Sequence, residues 1–130
     1  MLSRKERSAI LVTSSMAAKR PMPGMTTYSA SKSFCSFVAE GLSWEVQEKI
    51  DVIAFEPAGV STKMLKKKAG GMVLSEEEAV VGALADLGHE RRSSGGFVHD
   101  FMSFAGSYVP NWTISAMMFK AMKSAGLKMF

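Results

Sequence analysis

Cysteine occurs once in the 130 residues, at Cys35. A lone thiol cannot form an intramolecular disulfide, which sets aside the disulfide-stapled secreted domains and fits a reducing compartment. Histidine occurs twice, and neither His89 nor His99 has metal-ligand spacing or suitable carboxylate companions. No metal site is expected, and both read as ordinary residues. Charge of one sign does not dominate: the formal net charge is +4, with the bases scattered among acids except at Lys66, Lys67 and Lys68. That run lacks a basic helix face or interleaved aromatics, so it reads as a solvated loop and no nucleic-acid partner is expected. Long apolar runs are missing as well. The basic stretch over residues 1–7 is not followed by a signal-peptide core. Residues 97–119, the most apolar stretch, are broken by Asp100, Pro110 and Asn111. A spanning helix needs ~20 mostly apolar residues, so this stretch reads as a segment lying on a surface at most. Internal repeats and low-complexity segments are also lacking.

What is present is 47% hydrophobic residues, ample for a packed core. Residues 8–13 form a short apolar run without helical period, predicting a buried parallel strand. Pro21, Pro23 and Gly24 mark a loop. A helix is expected from Thr27 to about Lys49, with Phe34, Phe37, Val38, Leu42 and Val46 on its apolar face. Residues 51–55 read as a second buried strand, ended by Glu56 and Pro57, and residues 58–74 as loop. Ser75 with Glu78 forms a capping box for a helix that stops at Gly88. Gly95 and Gly96 open a third strand over residues 97–99, and a helical tail bearing Met117, Met118, Phe119 and Met122 follows. Alternating strands and helices predict parallel βαβ crossovers and an α/β fold.

The chemistry-bearing set is Ser14 and Ser15, then the Pro/Gly loop, then Tyr28-Ser-Ala-Ser-Lys32. Tyr28 and Lys32, four residues apart, share a helix face. A phenol is a poor acid–base catalyst at neutral pH, its ordinary pKa being ~10. A nearby ammonium favours the phenolate and brings it toward a useful range. Ser15 ends a parallel strand, where open α/β sheets place their ligand crevice, and its hydroxyl suits a carbonyl oxygen that gains negative charge. A tyrosine and lysine so spaced are a common accident on their own. The ordered set of strand, serines, Tyr28, Lys32, helix, strand and Pro57-Ala-Gly-Val-Ser-Thr62 is far more specific.

Together these motifs resemble the catalytic half of the short-chain dehydrogenase/reductase family. The resemblance is nearest its branch of 17β-hydroxysteroid dehydrogenases and very-long-chain 3-oxoacyl-CoA reductases. Pro21-Met-Pro23, Ser94-Gly-Gly-Phe-Val-His99 and Val109-Pro-Asn-Trp112 extend it over nearly the whole chain. It implies a partial Rossmann-like, doubly wound parallel sheet comprising the last three strands and their helices, with the dinucleotide-binding half missing. Residues 1–130 would be the C-terminal catalytic half, residues 63–75 the substrate-loop region and residues 100–130 a helical tail.

The resemblance further implies NADP(H)-dependent carbonyl reduction by hydride transfer, with NAD left open. Ser15 would polarise the carbonyl, Tyr28 would donate the proton, and Lys32 would support Tyr28 and bond the nicotinamide ribose. Pro57, Val60 and Thr62 would lie in the loop that meets the nicotinamide carboxamide. Ser14 is disfavoured, because the thirteen-residue spacing to Tyr28 selects Ser15.

The family's Gly-rich pyrophosphate turn, its selector for the adenosine ribose and its catalytic asparagine are not in the sequence. Met1 is therefore expected to correspond to an internal methionine of a longer enzyme, and the isolated chain to be incomplete. Acyl-CoA and steroid substrates both stay open. Met117, Met118 and Met122 could line a channel for them, and Lys63 with Lys66, Lys67 and Lys68 could meet CoA phosphates. Trp44 is expected in the core or against a partner subunit, and Cys35 buried. By resemblance the location is the endoplasmic reticulum membrane, with cytoplasm or another organelle as alternatives. A homo-oligomer, a complementing N-terminal half and membrane-surface association are the partner expectations. The rival reading is a non-catalytic split half acting as a structural subunit.

Overall fold

The computed structural model describes residues 5–63 and 68–124. Expectations that fall on residues 1–4, Lys66, Lys67, the side chain of Met122 and residues 125–130 lie outside them. Strand β1 (Ser8–Thr13) leads through a 3-10 turn (Met16–Lys19) to helix α1 (Thr26–Val46) and strand β2 (Ile50–Phe55). The two strands pair in parallel, from Ser8 opposite Ile50 to Thr13 opposite Phe55, as a βαβ unit requires. Short strands β3 (Gly59–Val60) and β4 (Val73–Leu74) then pair with each other. Helix α2 (Glu76–Asp86), strand β5 (Arg92–Ser93), helix α3 (Phe97–Ser107) and helix α4 (Asn111–Ser124) follow. The main sheet is parallel, in the order β1-β2-β5.

Strand β2 is central and covered on both faces. Val52 and Ala54 join Ala39 of α1 in the core, and Ile53 on the opposite face is fully buried. Strand β1 departs from the expectation of full burial. Ile10 and Val12 pack on the core, whereas Ala9, Leu11 and Thr13 are exposed. One face of β1 is covered by α1, and among the described residues β1 pairs with β2 alone.

Helix α1 forms where expected, but with a different face inward. Its buried residues are Ser29, Ser36, Ala39 and Ser43, while Phe34, Phe37 and Val38 are exposed. Of the expected apolar face, Leu42 and Val46 alone pack on the core cluster. Small side chains let the helix axis lie close to the sheet, and the buried hydroxyls are satisfied: Ser36 donates to Ser14 Oγ and Ser43 to the Glu40 carbonyl. Trp44 is also exposed, with the Arg91 guanidinium stacked 3.5 Å from its ring centroid. Cys35 is half-buried.

The third strand is a further correction. Residues 97–99 are the first turn of α3, and the strand lies earlier, at Arg92–Ser93. Phe97, Val98 and His99 have strand-like propensity, yet the aromatics at 97, 101, 104 and 108 recur at helical intervals. Gly95, at φ +82°, makes the turn between the two elements. A Cβ there would meet Phe55 Cε2 at 2.6 Å and the Ala79 carbonyl oxygen at 2.8 Å, so α2 packs directly on this glycine. The capping box of α2 is present: Ser75 Oγ accepts from Glu78 N–H, and the Glu78 carboxylate accepts from Ser75 N–H. That backbone bond holds the Glu78 carboxyl below the ordinary glutamate range.

Candidate active site

Two serines follow β1, and the strand's alternation sends them opposite ways. Ser14 is buried, donates from Oγ to the Lys32 carbonyl at 2.7 Å, and accepts from Ser36 Oγ at 2.8 Å. Its hydroxyl is thereby committed to packing α1 on the strand. Ser15 instead caps the 3-10 turn, accepting the Ala17 N–H at 3.2 Å, and lines a cavity of about 800 Å³. The backbone around it is pinned to the end of β2: Ser14 N–H donates to the Phe55 carbonyl at 2.7 Å and Met16 N–H to the Pro57 carbonyl at 3.0 Å.

Tyr28 lies in the first turn of α1, 41% exposed, and lines the same cavity. Lys32 stands one turn further on. Its amine is 5.9 Å from the Tyr28 ring centroid and donates to the Thr13 carbonyl at 3.2 Å. Lys32 does not line the cavity itself; it sits behind Tyr28, at the end of β1. Ala58 reaches the cavity, while Val60 and Thr62 stay outside its lining. Val60 pairs in register with Leu74, and Ser61 N–H donates to the Leu74 carbonyl at 2.8 Å. Thus Ser15 and Tyr28 share one cavity, Lys32 supports it from behind, and residues 57–62 form a neighbouring ledge.

The cavity wall is mostly apolar, with Met16, Met22, Met25 and Met102 prominent. These are not the methionines expected from the tail. Met117 is exposed, and of the tail helix it is Asn111 and Ile114 that reach the cavity. Beside it runs a chain of charges that sequence reasoning missed. Glu56 is 1% exposed; its Oε1 accepts from Arg92 Nη1 at 3.0 Å, and Arg92 also bonds Glu40. Glu56 Oε2 has no hydrogen-bond partner, and the Lys19 amine lies 3.6 Å from it. Lys19 also donates to Ser103 Oγ, and Arg20 donates to the carbonyls of Gly106 and Val109. These two cations tie the turn after β1 to the helices that roof the cavity.

His99, read as ordinary, is fully buried among the carbonyls and amides of three segments. Lys19, Arg20, Glu56 and Arg92 belong to no recognisable spacing, and His99, although it ends the Ser94–His99 motif, carries no sign there of its buried contacts.

The profile of the family described as short chain dehydrogenase matches residues 1–72. The chain belongs to the short-chain dehydrogenase family. Among curated relatives, it is 34% identical over 121 residues to the very-long-chain 3-oxoacyl-CoA reductase of Anas platyrhynchos, covering 92% of this chain and 39% of the relative. The Homo sapiens protein of that name is 31% identical over 122 residues, with the same coverage of 92% and 39%. The 17-beta-hydroxysteroid dehydrogenase type 3 of Mus musculus is 31% identical, covering 82% of this chain and 35% of the relative. The chain therefore spans well under half the length of the curated relatives it matches.

Solved structures agree on the fold. A chain from a study of 7beta-hydroxysteroid dehydrogenase stereoselectivity superposes with a TM-score of 0.74 at 22% identity, over 85% of this chain and 47% of that one. A short chain dehydrogenase from Burkholderia cenocepacia J2315, in complex with NADP, gives 0.63 at 23% identity, over 86% and 47%. This short-chain dehydrogenase sequence thus has the parallel α/β arrangement of its family, and the longer relatives it matches are named as reductases and dehydrogenases.

Proposed function

We propose that this chain carries the catalytic part of an NADP(H)-dependent carbonyl reductase, acting on 3-oxoacyl-CoA or 17-ketosteroid type substrates. The observation that carries the reading is the placement of Ser15 and Tyr28 on one apolar cavity, with Lys32 one helical turn behind Tyr28. The residues that would hold the nicotinamide end of the cofactor are Tyr28, exposed on the cavity, and Lys32 one turn behind it, with Pro57, Val60 and Thr62 on the segment whose Ala58 reaches the cavity. When bound, NADPH supplies the hydride that reaches the carbonyl carbon, with NADH as the alternative donor. Ser15 Oγ–H donates a hydrogen bond to the carbonyl oxygen as negative charge builds there. The Tyr28 hydroxyl gives its proton to that oxygen, and the Lys32 ammonium favours the phenolate left behind. The four methionines of the wall suit a long or bulky apolar substrate, because thioether side chains adapt their shape.

In this reading residues 1–130 are the catalytic half of the enzyme, residues 63–75 its substrate-loop region and residues 100–130 its helical tail. Two surfaces bear on partners. Phe34, Phe37, Val38 and Trp44 of α1 are exposed and suit a second copy or a complementing N-terminal half. Phe97, Phe101, Phe104 and Tyr108 form an exposed stripe on α3, followed by Lys120 and Lys123 on α4. Such a face suits the surface of the endoplasmic reticulum membrane. Among the described residues no helix is long and apolar enough to cross a membrane.

The test uses the native polypeptide that carries this sequence. NADPH consumption is followed with a long-chain 3-oxoacyl-CoA, a 17-ketosteroid and a small ketone, and again with NADH. Reduction of either of the first two with NADPH supports the reading; no oxidation of either nucleotide with any of the three carbonyls overturns it. A second reading, a non-catalytic structural half, is favoured by the exposed face of β1. NADPH titration and size-exclusion chromatography of the 130-residue chain separate the two, since a structural half associates with its partner without binding nucleotide.

A further inference from the structure

His99 stands in the first turn of α3, fully buried, at the meeting of three chain segments. Its Nδ1 lies 3.3 Å from the Ala58 N–H nitrogen and 3.2 Å from the Ser94 carbonyl oxygen. Its Nε2 lies 3.3 Å from the Met72 carbonyl oxygen. These partners decide the tautomer. With the proton on Nε2, the ring donates to Met72 and accepts from Ala58, so two contacts are hydrogen bonds and the Nδ1 lone pair also faces the Ser94 oxygen. With the proton on Nδ1, it donates to Ser94 alone, leaves the Ala58 N–H unpaired, and sets the Nε2 lone pair against the Met72 oxygen. A ring protonated on both nitrogens would donate to Ser94 and Met72, but it would set an N–H against the Ala58 N–H, leave that donor unpaired and bury a charge with no carboxylate among its contacts. The neutral Nε2–H form is therefore assigned.

The Ala58 N–H belongs to the same peptide plane as the Pro57 carbonyl, which accepts from Met16 N–H at 3.0 Å. One rigid peptide is thus held at one end by His99 and at the other by the residue next to Ser15. Ala58 itself lines the cavity with Ser15 and Tyr28. Met72 precedes β4, so the same ring also holds the returning arm of the segment that carries Val60 and Thr62.

We propose that His99, as the neutral Nε2–H tautomer, is a positioning residue that fixes the Pro57–Ala58 peptide between Ser15 and the nicotinamide-facing ledge. This rests on the carbonyl-reductase reading for its catalytic consequence, though not for its geometry.

Two conservative variants divide the ring's roles. His99→Asn keeps an acceptor where Nδ1 stands and drops the Met72 bond. His99→Gln keeps a donor near the Nε2 position and drops the Ala58 bond. Amide hydrogen exchange at Ala58 is measured in the native polypeptide without cofactor, alongside melting temperature and kcat. His99→Gln should accelerate Ala58 exchange about tenfold, the effect of losing one buried hydrogen bond, while His99→Asn stays near the wild type. The kcat should fall about tenfold in the Gln variant and stay near wild type in the Asn variant, at similar melting temperatures. Rapid Ala58 exchange in the wild type, or equal losses in both variants that track melting temperature, would overturn the assignment. If the wild type reduces no carbonyl, the reductase reading fails, and Ala58 exchange alone still decides the role of His99.

Discussion

The βαβ unit over residues 8–55 and the C-terminal run over residues 92–124 are held in place by different forces. In the first, six register pairs join β1 to β2, and an aliphatic core lies under α1. In the second, the strand is two residues long, and α3 turns most of its aromatics outward. What fixes α3 is polar: the buried His99, the Arg20 bonds to backbone carbonyls and the Lys19 bond to Ser103. The first region places Ser15 and Tyr28 on the cavity and Lys32 behind Tyr28; the second roofs that cavity. A packed frame with a roof attached by hydrogen bonds suits a site that must admit a substrate, because polar attachments of this kind open locally at less cost than a core.

The contrast breaks first at Ile53. It is fully buried, and Ile53→Ala should cost about 2–5 kcal/mol through lost burial and the cavity left behind. Phe101→Ala on the exposed stripe should change stability by no more than about 0.5 kcal/mol. Urea unfolding of both variants checks the pair, and equal losses would show that α3 is as deeply packed as β2.

Next in size is Arg92→Met. It leaves the Glu56 carboxylate buried with the Lys19 amine at 3.6 Å as its remaining cation. Breaking such a pair costs about 3 kcal/mol, the low end being expected because Arg92 is itself a third exposed. Double substitution with Glu56→Gln should recover much of that loss in the same unfolding assay. Failure to recover would mean that Arg92 acts through packing on Phe37, whose ring centroid lies 5.9 Å from its guanidinium.

These two expectations also mark how far the sequence could be read. The parallel βαβ unit and the capping box were legible, because hydrophobic patterning and turn chemistry act over short distances. The inward face of α1 was not. Its aromatics follow a helical period, but the sheet takes the serine and alanine face, and that preference depends on how closely the helix approaches. The strand at residues 92–93 was also hidden, since a charged arginine and a serine carry no strand pattern. Glu56, Arg92, Lys19 and His99 come from four separate segments, and only the fold brings the first three together and seats His99 against Ala58.

The smallest effect concerns α2, which lies outside both regions. Ser75→Ala should cost about 1 kcal/mol by removing the cap. Glu78 adds a pH dependence whose sign is fixed by its lowered folded-state value. Its contribution is complete at neutral pH and is lost as pH falls below the ordinary glutamate range through that lowered value. The stability difference between wild type and Glu78→Gln, followed by thermal melts, should therefore shrink toward acid. A difference that grows in acid would contradict the capping geometry.

The central claim is that the frame carries the chemistry, with Tyr28 as the proton donor. It is tested most directly by hydride tracing in the native polypeptide, using NADPH deuterated at nicotinamide C4 and a 3-oxoacyl-CoA. The wild type should place one deuterium on the carbinol carbon. Tyr28→Phe should lower turnover about 10²–10⁴-fold while NADPH binding stays nearly unchanged, because the substitution removes only the proton donor. Deuterated product formed by Tyr28→Phe at the wild-type rate would contradict the account.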